Sequence, residues 1–235
     1  MPAGVTSISR KGVFQDLKLL EYTAALDLQE SVRQAKTQDR ALPDAVFFVQ
    51  HPPVFTCGRN GGRENLIVSE NFLKDRGVDL VQTDRGGNVT YHGPGQAVMY
   101  PVVDLARARI GVSDFVYGLE EIMGNTAADF GVSVQRDPKN HGMWKGSKKI
   151  GSVGLSIRHG ISIHGLALNV SLDLTPFAWI NPCGMSGVAM TSLGQELAAA
   201  GQQSTALSMD AVKEKLAGYF CTWFGFHLTE KPAYV

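Results

Sequence analysis

The stretch KKIGSVGLSIRHGISIHGLALNV, residues 148–170, decides how this chain folds. Two runs rich in Ile, Leu, Val and Ser flank His159-Gly160, a two-residue loop of hairpin type. Counting from that turn sets Arg158 opposite Ile161, Gly154 opposite Gly165, Val153 opposite Leu166 and Ser152 opposite Ala167. Small residues then face each other across both strands. Glycine weakens a strand, so such a pair marks the close approach of a ligand or another backbone; a bulge or tight packing under a helix is the other reading. Alternation also separates the two adjacent lysines. Lys148 shares a face with Ile150, Ser152, Gly154, Ser156 and Arg158, and Lys149 with Gly151, Val153, Leu155 and Ile157, the more apolar set. A lysine in apolar surroundings loses solvation, which moves it toward acid–base chemistry. At a strand end it can instead snorkel to water. An extra residue at Gly151 would cancel this parity.

Outward from the hairpin the pattern is mixed. Residues 16–36 place Leu17, Leu20, Ala24, Leu28, Val32 and Ala35 on one helical face. Residues 45–50, 78–83, 96–105 and 132–137 read as strands, and 51–55 as a loop. Residues 113–129, with Ser113 as N-cap and Gly131 just beyond the end, and residues 208–224 read as helices; 198–207 reads as a surface loop. Hairpins and helices without regular βαβ alternation predict an α+β fold with a mixed, largely antiparallel sheet and flanking helices, in one domain over 1–235.

Lys plus Arg and Asp plus Glu both number 22, which argues against a broad electrostatic surface for nucleic acid. No run approaches the roughly 18 apolar residues of a membrane span, and the first residues lack the apolar stretch of a secretory signal. Cys57, Cys183 and Cys221 are an odd count at wide spacings, matching neither a disulfide framework nor a metal pattern. The expectation is a cytoplasmic protein with no metal, no cofactor, and neither nucleic-acid nor membrane binding.

The sequence holds 26 glycines, against roughly 16 at average usage. Four lie in RGGNVTYHGPGQ, residues 85–96, which reads as a loop able to wrap a ligand with backbone N–H groups. It is neither GxGxxG nor GxxxxGK[ST], so no standard phosphate cradle is indicated. Arg85, Thr90, Tyr91 and His92 are its polar and aromatic handles; His92 by itself is as much a structural histidine as a substrate contact. In INPCGMSG, residues 180–187, Cys183 has no histidine beside it. From the residues alone it is a nucleophile, a zinc ligand or a small apolar filler, with the zinc option lacking any partner spacing. Cys57 and Cys221 read as packed side chains.

RGGNVTYHGPGQ, with HPPVFTCGR (51–59), KIGSVG (149–154), HGLALNV (164–170) and INPCGM (180–185), resembles the octanoyltransferase family over nearly the whole chain. That family is similar in fold to the biotin and lipoate protein ligases. The resemblance implies transfer of an octanoyl group from octanoyl-acyl carrier protein to a lysine of lipoyl domains, those of 2-oxoacid dehydrogenases and the glycine-cleavage H protein. It implies a thioester on Cys183, with Lys149 lowering the thiol's pKa and exchanging protons. It implies substrate-binding segments at Arg85, Gly86, Gly87, Asn88, Val89, Thr90, Tyr91 and His92, at Ser152, Val153 and Gly154, and at Gly165, Leu166 and Ala167. Backbone N–H groups near Lys149–Ile150 and near Cys183 are the expected oxyanion donors, and a monomer is the expected state. The competing readings are an ATP-dependent lipoate-protein ligase, a Cys–His hydrolase with His92 or His164 as base, and a non-catalytic binding module.

Overall fold

The computed structural model describes residues 10–137, 140–181, 188–202 and 206–230. In chain order the elements are β1 (Arg10–Leu19), α1 (Tyr22–Gln38), β2 (Asp44–Gln50), β3 (Val54–Cys57), α2 (Glu70–Lys74), β4 (Asp79–Gln82), β5 (Val89–His92), β6 (Gln96–Val102) and α3 (Leu105–Ala108). Then come α4 (Val112–Asp129), β7 (Gln135–Arg136), β8 (Met143–Lys145), β9 (Lys148–Arg158), β10 (Ile161–Asn169), α5 (Leu193–Ala199), α6 (Met209–Phe224) and β11 (Phe226–Glu230).

One sheet runs β11-β1-β2-β6-β10-β9-β8-β7, with β11, β1 and β2 parallel and the other pairs antiparallel. This is the mixed, largely antiparallel sheet the sequence predicts. Its central strands are buried on both faces, which is why β2 reads as an unbroken apolar run. Val46 and Phe48 point into a core closed by α4 and α6, while Ala45, Phe47 and Val49 point into one closed by α1. A second sheet, β4-β3-β5, carries its own small core of Phe55, Tyr91 and Phe177. No described helix is long and apolar enough to cross a membrane.

The β9–β10 hairpin has the register counted from its turn. His159 and Gly160 have φ of 53° and 77°, both left-handed as a type I′ turn demands, and Gly154 pairs with Gly165. Gly165 has no room for a side chain: a Cβ would stand 2.1 Å from the Met99 carbonyl oxygen and 2.7 Å from Pro101 Cδ.

Several expectations fail here. Residues 16–19 belong to β1, because that strand finds backbone partners on both sides in β2 and β11, and α1 begins only at Tyr22. The buried face of α1 is Tyr22, Ala25, Gln29, Val32, Arg33 and Lys36, with Ala24 exposed. Its polar members have partners: Gln29 Oε1 accepts the His164 N–H at 2.7 Å, and Lys36 pairs with Asp44 at 2.8 Å. The stretch 85–96 is not loop throughout, since Val89–His92 forms β5 on β3. The N-cap of α4 is Gly111 rather than Ser113, and 198–199 end α5.

Gly165→Ala should destabilise the fold by about 1–3 kcal/mol through overpacking. Gly218→Ala, on the exposed side of α6 with nothing within 4 Å, should instead gain about 0.5–1 kcal/mol. Urea unfolding of the two variants checks both signs.

Candidate active site

Between the β9–β10 hairpin and the small sheet lies a narrow slot. It encloses about 650 Å³ with its open mouth included. Arg85, Gly86, Gly87, Asn88, Val89, Thr90 and His92 line one side; Ser152, Val153, Gly154, Gly165, Leu166 and Ala167 line the other, with Lys149 among them. Tyr91 is the one member of the expected substrate segments that does not line it. On β5 it alternates to the opposite face and packs on Phe55 and Phe177, at ring-centroid distances of 5.2 and 5.6 Å. Sequence reasoning missed Tyr22, Val98, Tyr100 and Met190, which also line the slot. They come from elements far apart in the chain and carry no motif.

Glycines bring the walls together. Gly86 N–H bonds the Leu155 carbonyl at 2.8 Å, docking the 85–88 strap on β9; a Cβ on Gly154 would meet the Gly86 oxygen at 3.1 Å. Arg85 is buried and ties the strap to β3. Its Nε and Nη2 donate to Thr56 Oγ1 at 3.1 and 2.9 Å, and Nη2 also reaches the Thr56 carbonyl.

Lys149 is 4% exposed, whereas Lys148 has a side chain 51% exposed and pairs with Glu196 at 3.5 Å. The difference between the two lysines is the expected one, but its cause is not. Met143 pairs with Gly151 and Trp144 with Lys149, so Ile150 is an extra residue, a β-bulge. Ile150 and Gly151 both face the α4 side: Ile150 lies in that core, and a Cβ on Gly151 would meet Met123 Sδ at 2.7 Å. The bulge therefore turns Lys149 off the Val153–Leu155–Ile157 face and into the slot with Ser152 and Gly154. The Lys149 N–H is spent on the Ala189 carbonyl at 2.9 Å, so it is not the oxyanion donor anticipated there.

Cys183 lies outside the described residues. Both described ends of its segment are tied down. Asn181 N–H bonds the Asn65 carbonyl at 2.8 Å, and Ala189 and Thr191 bracket Lys149 through backbone bonds of 2.9 Å. Burial pushes the thiols of Cys57 and Cys221 up, as fits packed side chains. Among the described residues no cluster of His, Cys, Asp or Glu could hold a metal.

The lipoyl protein ligase A/B catalytic domain model matches residues 21–221. An octanoyltransferase of Desulfotalea psychrophila is 43% identical over 212 residues, covering 89% of this chain and 92% of its own. One from Pseudomonas savastanoi pv. phaseolicola is 44% identical over 183 residues, covering 78% and 80%. The chain belongs to this family, with the octanoyltransferases. It is an acyltransferase. Its fold is also that of a lipoate-protein ligase A solved with ATP, with a TM-score of 0.73 at 16% identity over 94% of this chain and 88% of that one.

The inner part of this acyltransferase's slot is an aromatic and histidine-rich wall whose polar atoms are mutually bonded. Gln96 Nε2 donates to Asn169 Oδ1 at 2.9 Å, which leaves Gln96 Oε1 to accept from His92 Nδ1 at 2.7 Å; His92 Nε2 faces the Thr56 hydroxyl at 3.3 Å. His164 Nε2 bonds Asp84 Oδ1 at 3.0 Å and Nδ1 meets the Tyr22 hydroxyl at 3.3 Å. With both ring nitrogens of each histidine engaged, neither is placed as the open base of a Cys–His hydrolase. Burial holds the rings neutral, pushing His92 down to about 3 and His51 down to about 4, and it lowers His164 as well. The His164 hydrogen bond, then those of Ser156 and the charge of Arg158, keep the Asp84 carboxyl well below the usual range.

These imidazoles make stability depend on pH. Below the ordinary value of 6.5 the unfolded chain protonates histidines that the fold keeps neutral. Stability is whole above 6.5 and is lost as pH falls toward about 4 and then about 3. Urea unfolding from neutral pH downward should show that decline, and His92→Gln should make it shallower. A profile with the same slope in both proteins would remove His92 from the account.

Proposed function

We propose that this chain transfers an octanoyl group from octanoyl-acyl carrier protein to a specific lysine of a lipoyl domain, through a thioester on Cys183, within one catalytic domain. The lipoyl domains are those of 2-oxoacid dehydrogenases and the glycine-cleavage H protein. The observation that carries this reading is a buried lysine, Lys149, in a narrow slot walled by the glycine strap and the paired strands. A slot that is narrow and lined by Val98, Val153, Leu166 and Ala167 suits an unbranched alkyl chain. Burying the six methylenes of an octanoyl chain would contribute roughly 5 kcal/mol.

In the first step the Cys183 thiolate attacks the donor's thioester carbon. The bond to the carrier's thiol sulfur breaks, and that sulfur leaves with a proton that Lys149 supplies. An ammonium beside a thiol favours the thiolate, so Lys149 also prepares the nucleophile. In the second step the neutral amine of the acceptor lysine attacks the Cys183 thioester. The C–S bond breaks, an amide forms, the amine's proton passes to Lys149 and restores the ammonium spent in the first step, and Cys183 departs as the thiolate. The first exchange is thioester for thioester and the second runs downhill to an amide, so no ATP is consumed. Arg85, Gly86, Gly87, Asn88, Val89, Thr90, His92, Ser152, Val153, Gly154, Gly165, Leu166 and Ala167 would border the chain. Tyr91 would support β5 from behind.

The second reading is an ATP-dependent lipoate-protein ligase, favoured by the likeness in fold to such an enzyme. Transfer from octanoyl-acyl carrier protein without ATP separates the two. Intact mass after mixing with that donor should rise by one octanoyl group; Cys183→Ser should abolish the adduct. Lys149→Ala should lose at least about a hundredfold in turnover, within the range of acid–base catalysis, and Lys148→Ala should lose little. Strict ATP dependence, or an adduct that survives Cys183→Ser, would sink the reading.

A further inference from the structure

We propose that Trp144 is the positioning residue that holds Lys149 in the slot, with Gly142 and Glu120 forming its support. The proposal rests on Lys149 being the acid–base partner in the transfer. The Ile150 bulge sets the arrangement. In a regular ladder Gly151 opposite Met143 would bring Lys149 opposite Lys145. The extra residue brings it opposite Trp144 and pairs Lys145 with Lys148 instead. Directly opposed residues of an antiparallel pair share a face, so the indole and the lysine stem lie side by side. The Lys149 Nζ is 5.3 Å from the ring centroid, within the range in which an aromatic face attracts a cation. Trp144 is buried, and its indole Nε1–H donates to the Asn140 carbonyl at 3.1 Å, which fixes the ring plane.

Gly142 closes the other side. Its φ of 118° lies in the left-handed half of backbone space, and a Cβ there would stand 2.8 Å from Lys149 Cε and 2.3 Å from the Gly151 oxygen. The lysine stem therefore runs against bare backbone. Glu120 on α4 secures that backbone, its buried Oε1 accepting the Gly142 N–H at 2.8 Å. Trp144, Gly142 and Glu120 do not line the slot. They act on the reaction through Lys149 alone.

That separation makes the proposal testable with the full-length enzyme and octanoyl-acyl carrier protein. Trp144→Leu keeps apolar bulk but removes the ring face. It should lower kcat about tenfold, leave KM for the donor within about twofold, and slow alkylation of the nucleophilic thiol by iodoacetamide to a similar extent. Trp144→Phe keeps a ring face and should stay within about threefold of the parent on each measure. Should Trp144→Leu fail to fold, Glu120→Gln, which still accepts the Gly142 N–H, and Glu120→Ala, which does not, give the same comparison. The proposal is overturned if Trp144→Leu keeps the parent kcat, if the phenylalanine and leucine variants fall together, or if KM alone moves. Lys149→Ala in the same series guards the premise: a parent-like rate there removes the acid–base role of Lys149 itself, whatever Trp144 does.

Discussion

The β9–β10 hairpin departs from strand alternation at both ends, and the site depends on those departures. At one end the Ile150 bulge turns Lys149 from the α4 side into the slot. At the other, His164 has φ of 60°, a left-handed conformation that a strand residue seldom adopts. By parity it belongs with Leu166 and Leu168 in the core beneath α4. The left-handed turn delivers it instead to Tyr22 and Asp84. Gly154 and Gly165 lie between, and their missing side chains let the strap and β6 approach. Such backbone conformations persist only where the surroundings over-determine them, and here four partners do so: Asp84, Tyr22, Gln29 and the paired strand.

A chain of buried hydrogen bonds carries this geometry across both sheets. It runs from Arg85 and Thr56 on the small sheet through His92 to Gln96 and Asn169 on the large one. From there it passes to the Thr191 carbonyl, while the Thr191 N–H bonds Lys149. Each member has its donor and acceptor matched, which is the condition under which a buried polar network rigidifies rather than weakens a fold. The slot width is thus set by side chains that contribute little apolar surface. Neutral imidazoles suit that task, because a charged ring in the same place would need a counter-ion.

Much of the site was legible in local sequence. The turn at His159-Gly160 sets the hairpin register by geometry alone, so the pairing of Gly154 with Gly165 could be counted. The glycine strap likewise announced itself, since bare backbone is needed wherever two chains pass within contact distance. Other parts could not be read. Parity placed Lys149 correctly against Lys148, but for a face it does not occupy, because a bulge is invisible until its partner strand is known. Apolar periodicity misjudged the buried face of α1, which is half polar and is bought by bonds to Asp44 and His164. It also ran a helix through residues 16–19, where two neighbouring strands impose extended backbone.

What the sequence by itself determined is the hairpin, its register, the mixed layered fold, and a family resemblance dense enough to name the chemistry. These depend on contacts a few residues apart, or on motifs that keep their order along the chain. What only the tertiary structure decided is which way Lys149 and His164 point, that Tyr91 turns from the slot, and that Tyr22, Tyr100 and Trp144 converge near it. The physical reason is the same in each case. A side chain's direction follows from the backbone dihedrals that strand pairing imposes, and pairing exists only in the assembled sheet: Lys149 takes its direction from a bulge against β8, and Tyr91 from β3.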